Sequence, residues 1–309
     1  MPLDPDTAEM LEGLRRLDVP PLSAGTPELA RAGYDAAPKP PPEEVARVID
    51  TSIPGPAGDV AIRVYAPTDE TDLPVVAFFH GGGWVLSGLD GHDSLARRLA
   101  LRSGALVVSV DYRLAPENPF PAPHDDCWAV TSWLAAHAGE LGGDGSRLAV
   151  AGDSAGGNLA AGVALRARDE GLPLAFQLLI YPALDVDFTR PSMVDNATGY
   201  FLTTADMRWF WDHFIAPDDR TDPYAVPMAV DDVSGVAPAL IQTAEYDPLR
   251  DEGEAWGERL RSAGVDVTVT RYDGVVHGFV SRWTQMARAE SAHDEAGDAL
   301  RRALRPIDD

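Results

Sequence analysis

Seven short apolar runs recur along the chain, and they constrain its fold more than any other feature: Val60–Tyr65, Val75–Phe79, Ala105–Val110, Leu148–Ala151, Phe176–Ile180, Ala239–Thr243 and Val265–Arg271. Each has the length and apolar content of a strand. Most of the later ones are separated by amphipathic or Ala-rich stretches of helical length: Asp90–Arg102, Asp125–Ala138, Ala155–Asp169, Leu249–Ala263 and Trp283–Leu304. Parallel strands need crossover connections, and helices supply them. The alternation therefore predicts an α/β protein with a mostly parallel central sheet and helices on both faces.

Two regions break the rhythm. Before the first run lie a short helix-like stretch, Thr7–Leu17, and the Pro-rich segment Pro38–Pro42, which together read as an accessory N-terminal arm over residues 1–45. Between Asp185 and Ala237 there is no strand pattern but a cluster of aromatics, Tyr200, Phe201, Trp209, Phe210, Trp211 and Phe214. So long a connection in a compact domain is usually functional. Its helical part, about 185–230, is expected to form a small helical cap over a pocket in the domain spanning 46–309.

Composition narrows the function classes. With 309 residues, 45% of them hydrophobic, the chain is long enough for one large core. A formal charge of −24 and the absence of a basic cluster exclude a nucleic-acid partner. Lys39 is the only lysine among 25 basic residues. Cys127 stands alone, so no intrachain disulfide is available, and its apolar surroundings suit a packed thiol. Met1–Arg16 lacks the basic and apolar regions of a signal peptide, and no run reaches the roughly 18 apolar residues of a membrane span. A cytoplasmic location is the resulting expectation.

The chemistry is carried by loops that follow strands. Gly152-Asp153-Ser154-Ala155-Gly156-Gly157 lies between the run Leu148–Ala151 and the helix that begins near Ala155. Small residues around a serine at a strand-to-helix turn permit the tight elbow that lifts a nucleophile above a sheet. The Ala155 N–H, at the helix start, would face a developing negative charge. His80-Gly81-Gly82-Gly83-Trp84 follows the run Val75–Phe79. Its glycines free the backbone to present amides as an oxyanion hole, with Gly81 and Gly82 the chosen donors. A phosphate-cradling role is disfavoured, because the Lys-Ser/Thr ending of a P-loop is missing. His80 is read as a brace for the loop, and Trp84 as a pocket wall or a core tryptophan.

A serine hydroxyl needs a base, and the base needs an acid. Of the histidines, His277 follows a strand run and comes late in the chain, whereas His92, His124, His137 and His213 precede any suitable acid. His293 falls within a helical pattern and is expected to be exposed. Asp247 follows the run Ala239–Thr243, 30 residues before His277, with Glu245 and Asp251 as rivals. Asp251 reads better as a first-turn charge or a loop brace. The order Ser, Asp, His and the placement of all these groups at strand C-terminal ends suit an open α/β sheet. Serine hydrolysis needs no cofactor, and neither a His-Glu-x-x-His sequence nor a Cys/His cluster points to metal.

With its His80–Trp84 and Gly152–Gly157 motifs, and with Asp111–Glu117, Asp247–Gly253 and His277-Gly278-Phe279, the chain resembles the hormone-sensitive-lipase-like family of α/β-hydrolases. The resemblance implies the α/β-hydrolase fold and a serine carboxylesterase acting on short- to medium-chain acyl esters. It also implies Ser154, His277 and Asp247 as nucleophile, base and acid, and Gly81, Gly82 and Ala155 as oxyanion donors. A cap built from the N-terminal arm and the insertion follows from it, as does a homodimer formed through an edge strand and the C-terminal helix. An amidase, formamidase or acyltransferase would use the same triad. A binding protein on this fold would be expected to have lost one of its members.

Overall fold

The computed structural model describes residues 2–17 and 20–306, so the outermost residues of the chain, and residues 18–19 of the N-terminal arm, lie outside the described residues. In chain order the elements are α1 (Pro5–Leu17), α2 (Pro27–Ala36), β1 (Arg47–Gly55), β2 (Gly58–Ala66), β3 (Leu73–Phe79), α3 (Asp93–Ser103), β4 (Leu106–Val110) and α4 (Ala122–His137). There follow β5 (Gly143–Asp153), α5 (Ala155–Glu170), β6 (Phe176–Ile180), α6 (Pro191–Asp195), α7 (Thr204–Phe214), β7 (Ala239–Tyr246), α8 (Arg250–Ser262), β8 (Val267–Val276) and α9 (Ala287–Ala303).

One eight-stranded sheet runs in the order β1-β2-β4-β3-β5-β6-β7-β8. The β1–β2 and β2–β4 pairs are antiparallel, and every other pair is parallel. Alternation along the strands divides the core in two. Val75, Ala77 and Phe79 of β3 join one buried cluster with Cys127 and Leu134 of α4, Leu159 and Val163 of α5, and Trp256 of α8. Val76 and Phe78 point the other way, into a second cluster with Leu95 and Leu99 of α3 and Ala292 and Leu300 of α9. The period of 2 in the strands thus produces helices on both faces, and Cys127 is a packed thiol, fully buried.

Four details depart from the sequence expectations. β1 had no apolar signature, because it is half of an antiparallel hairpin at the sheet edge with mostly exposed positions. β8 runs five residues beyond the expected Arg271, so its end abuts His277 directly. The expected helix Asp90–Arg102 begins as the single turn Asp90–His92 before α3, and the expected helix Trp283–Leu304 is the turn Phe279–Arg282 followed by α9.

The insertion supplies α6, α7 and two short turns. Phe210, Trp211 and Phe214 of the insertion are buried, and Trp84 stacks on Phe214 at 4.2 Å and lies 4.6 Å from Trp211, which makes it a core tryptophan. The N-terminal arm touches the same region, the Ser23 N–H donating to Asp206 Oδ1 of α7 at 2.9 Å. Arg31 of α2 fastens the arm to the body, donating to the carbonyls of Val85 and Ala115 at 2.8 Å and gripping both carboxylate oxygens of Glu117. Among the described residues no helix is long and apolar enough to cross a membrane.

Candidate active site

Ser154 stands between β5 and α5 at φ 57°, ψ −118°, a conformation that costs on the order of 1–3 kcal/mol for a residue with a side chain. Its neighbours hold it there. The Ser154 N–H donates to the Ile180 carbonyl at 2.8 Å, and Gly156 passes so close to β3 that a Cβ would overlap the Phe79 carbonyl. The strained turn leaves the hydroxyl partly exposed above the C-terminal ends of the parallel strands.

The structure brings three of the expected side chains together. Ser154 Oγ lies 2.9 Å from His277 Nε2, and His277 Nδ1 lies 2.7 Å from Asp247 Oδ2. The geometry fits Nδ1–H donating to the carboxylate, which leaves Nε2 to accept the serine proton. Asp247 is fully buried, and its other oxygen accepts the Leu249 N–H at 2.9 Å. The insertion reaches this point as well, Asn196 Nδ2 donating to the Asp247 backbone carbonyl at 3.1 Å. The Tyr181 ring packs 4.5 Å from the His277 ring and limits its tilt.

The rivals for the acid have other partners. Asp251 accepts the Ser192 N–H at 2.7 Å and pairs with Arg250, which makes it a brace for the insertion, and Glu245 accepts the Gly274 N–H at 2.7 Å. His293 is buried rather than exposed: its Nε2 is 2.9 Å from the Val280 carbonyl, because α9 turns this face onto the sheet.

The glycine loop corrects one expectation. The Gly81 N–H donates to Asp153 Oδ1 at 2.9 Å, so it cannot meet an oxyanion. Among the described residues the amides of Gly82, Gly83 and Ala155 have no acceptor, so Gly83, not Gly81, is the second glycine of the loop with a free N–H. Gly82 adopts φ 120°, closed to other residues, and a Cβ on it would overlap the Leu86 carbonyl. His80 braces this loop, its Nδ1 2.8 Å from the Gly81 carbonyl and its ring stacked 4.2 Å from Tyr112, whose hydroxyl donates to the His80 carbonyl. Burial, with His92 nearby, holds the His80 imidazole down at about 3 and hence neutral.

Sequence reasoning gave Asp153 no role and set His92 aside as a base. Both are buried, with His92 Nε2 3.1 Å from Asp153 Oδ1 and His92 Nδ1 2.9 Å from Ser87 Oγ. Burial alone would push the Asp153 carboxyl up, but His92 and the Gly81 N–H outweigh it and hold the group below its ordinary value. This carboxylate ties the serine elbow to the glycine loop, so the two halves of the site keep a fixed separation. The one legible signal was an acidic side chain in a turn otherwise made of small residues. Glu252 was also missed: fully buried, it accepts the Leu184 N–H at 2.7 Å, and burial raises its carboxyl well above the usual range.

A serine, an imidazole, a buried carboxylate and free amides in this arrangement can carry out acyl transfer through a covalent intermediate. Comparison with known proteins agrees. Residues 76–281 match the family described as having the alpha/beta hydrolase fold. The chain is 47% identical to the carboxylesterase NlhH of Mycobacterium tuberculosis over 252 residues, 80% of this chain and 79% of that protein. It is 38% identical to an ethyl acetate hydrolase of Pseudomonas putida over 251 residues, 79% of this chain and 78% of the relative. A crystal structure of a thermostable esterase from Pseudomonas putida ECU1011 superposes with a TM-score of 0.96 at 39% identity, covering 99% of each chain. With its fold, its strand-end motifs and these relatives in agreement, the chain belongs to the α/β-hydrolases, in their hormone-sensitive-lipase-like family.

Proposed function

We propose that the protein is a serine carboxylesterase that cleaves short- to medium-chain acyl esters through an acyl-enzyme on Ser154. The observation that carries this reading is the unbroken relay from Asp247 through His277 to Ser154 Oγ, with steps of 2.7 and 2.9 Å. His277 Nε2 takes the hydroxyl proton as Oγ attacks the ester carbonyl, and the new oxyanion accepts from the amides of Gly82, Gly83 and Ala155. Asp247 stabilises the imidazolium. The tetrahedral intermediate collapses with the His277 proton passing to the departing alkoxide, which leaves as the alcohol. Water then attacks the acyl-enzyme, His277 again takes the proton, and the second collapse releases the carboxylic acid and restores Ser154.

Residues 1–45 and the insertion at about 185–230 are assigned to a cap over this centre. The Ser23–Asp206, Arg31–Glu117 and Asn196–Asp247 contacts support that assignment by tying both segments to the rim of the site. Hydrolysis of 4-nitrophenyl esters from acetate to palmitate by the unmodified protein and Ser154→Ala tests the reading. Activity should peak at the shorter acyl chains and fall about 10⁴-fold or more in the variant. Equal rates in the two proteins would overturn it.

A further inference from the structure

Arg282 ends the turn Phe279–Arg282, which follows the catalytic loop at His277-Gly278. It is half-buried, and among the described residues its side chain forms neither an ion pair nor a hydrogen bond, although its backbone carbonyl accepts the Gln285 and Met286 N–H groups. That is unusual in this chain, whose other half-buried arginines are held by carboxylates or carbonyls: Arg31 by Glu117, Arg63 by Asp50, Arg113 by Asp126, Arg190 by Asp185, Arg259 by Met228 and Val230. With 49 acidic residues in the sequence, a carboxylate partner would have been easy to provide. A partly desolvated guanidinium without one is costly, unless its partner arrives with a ligand.

Its surroundings place it at the rim of the site. The guanidinium carbon lies 4.8 Å from the Phe201 ring centroid, and the edge of that ring comes within 3.5 Å of where a Cβ on Gly278 would stand. Phe201 belongs to the insertion, is 45% exposed and adopts φ 72°, so an apolar ring is held open to solvent beside the catalytic loop. Tyr181, which packs on His277, and Tyr34 of α2 are both close enough to bias the Arg282 charge. The ring contact fixes one face of the guanidinium and leaves the N–H fork along its edge free. The formal charge of −24 repels anions at long range, so an anionic group could be captured here only by a local cation.

We propose that Arg282, seated on Phe201, is a carboxylate-binding subsite at the mouth of the catalytic centre, and that the preferred esters carry a free carboxylate on one limb. The proposal rests on the esterase reading above and names its substrate class. Two limbs are possible, and one substrate pair addresses each: mono-4-nitrophenyl adipate against its methyl ester for the acyl limb, 3-acetoxybenzoate against methyl 3-acetoxybenzoate for the alcohol limb.

For each protein the readout is the ratio of kcat/KM, carboxylate ester over neutral ester. In one of the pairs this ratio should fall about tenfold in Arg282→Gln, chiefly through KM, and recover in Arg282→Lys. The ratio is internal to each protein, so a loss of folded enzyme cancels. Ratios within about twofold of the unmodified protein in both pairs would overturn the proposal. Failure of the unmodified protein to cleave either neutral ester would instead sink the esterase reading. The subsite is then still read by thermal shift: 3-hydroxybenzoate should raise Tm in the unmodified protein but not in Arg282→Gln, and an equal shift in both would contradict it.

Discussion

Each residue of the proposed relay is held by something other than its neighbour in that relay. Ser154 keeps its φ of 57° through the Ile180 carbonyl and the close packing of Gly156, and Asp247 keeps its orientation through the Leu249 N–H. Ground-state positioning of this kind is what lets a relay act without reorganising. It also separates Asp247 from its neighbour. Asp247→Asn should lower kcat by about 10³–10⁴-fold, since the amide can no longer hold the His277 tautomer, whereas Asp251→Asn, which loosens only the brace to Ser192, should cost less than about tenfold. Steady-state rates on 4-nitrophenyl butyrate measure both, and the reverse ranking would reassign the acid. At this scale the convergence of Ser154, Asp247 and His277 was legible, because each follows a strand run in the order expected of this fold. The direction of an amide was not legible. Gly81 and Gly83 are equivalent in sequence, and only the Asp153 carboxylate across the site takes one and leaves the other.

At the scale of elements, legibility followed burial. β3 to β7 lie inside the sheet, so their apolar content is continuous and their approximate positions could be read. β1 lies at an edge, where the pattern weakens, and it escaped notice. The end of β8 was hidden too, because Asp273 and Gly274 interrupt the apolar run while the backbone pairing continues to Val276. The aromatic cluster of the insertion announced a packed unit but not its partner. That partner includes Trp84, stacked on Phe214 from the turn after the glycine loop, a contact that no spacing in the sequence encodes. The glycine loop and the insertion are therefore packed together, and the insertion's contact with Asp247 through Asn196 extends this packing to the candidate acid.

For the whole molecule, acid stability depends on histidines buried in neutral form. His80, His124 and His293 are each lowered from 6.5, to about 3, 3 and 4, in every case first because burial disfavours the cation. A depressed pKa means that the unfolded chain takes the proton first. Their contribution is therefore complete above pH 6.5 and is lost progressively as pH falls toward the folded values. Between pH 6.5 and 5 each should cost on the order of 2 kcal/mol, so Tm should drop steeply over this interval. Melting curves in high salt, where repulsion among surface carboxylates is screened, isolate the effect, and a flat Tm would contradict it. The claim that unites residue, element and molecule is that Ser154 alone is the activated nucleophile. Treatment with diethyl 4-nitrophenyl phosphate, followed by intact and peptide mass analysis, tests it most directly. One diethylphosphoryl group on Ser154, and none on the Ser154→Ala protein, is the predicted result; labelling of another residue, or equal labelling of the variant, would contradict it.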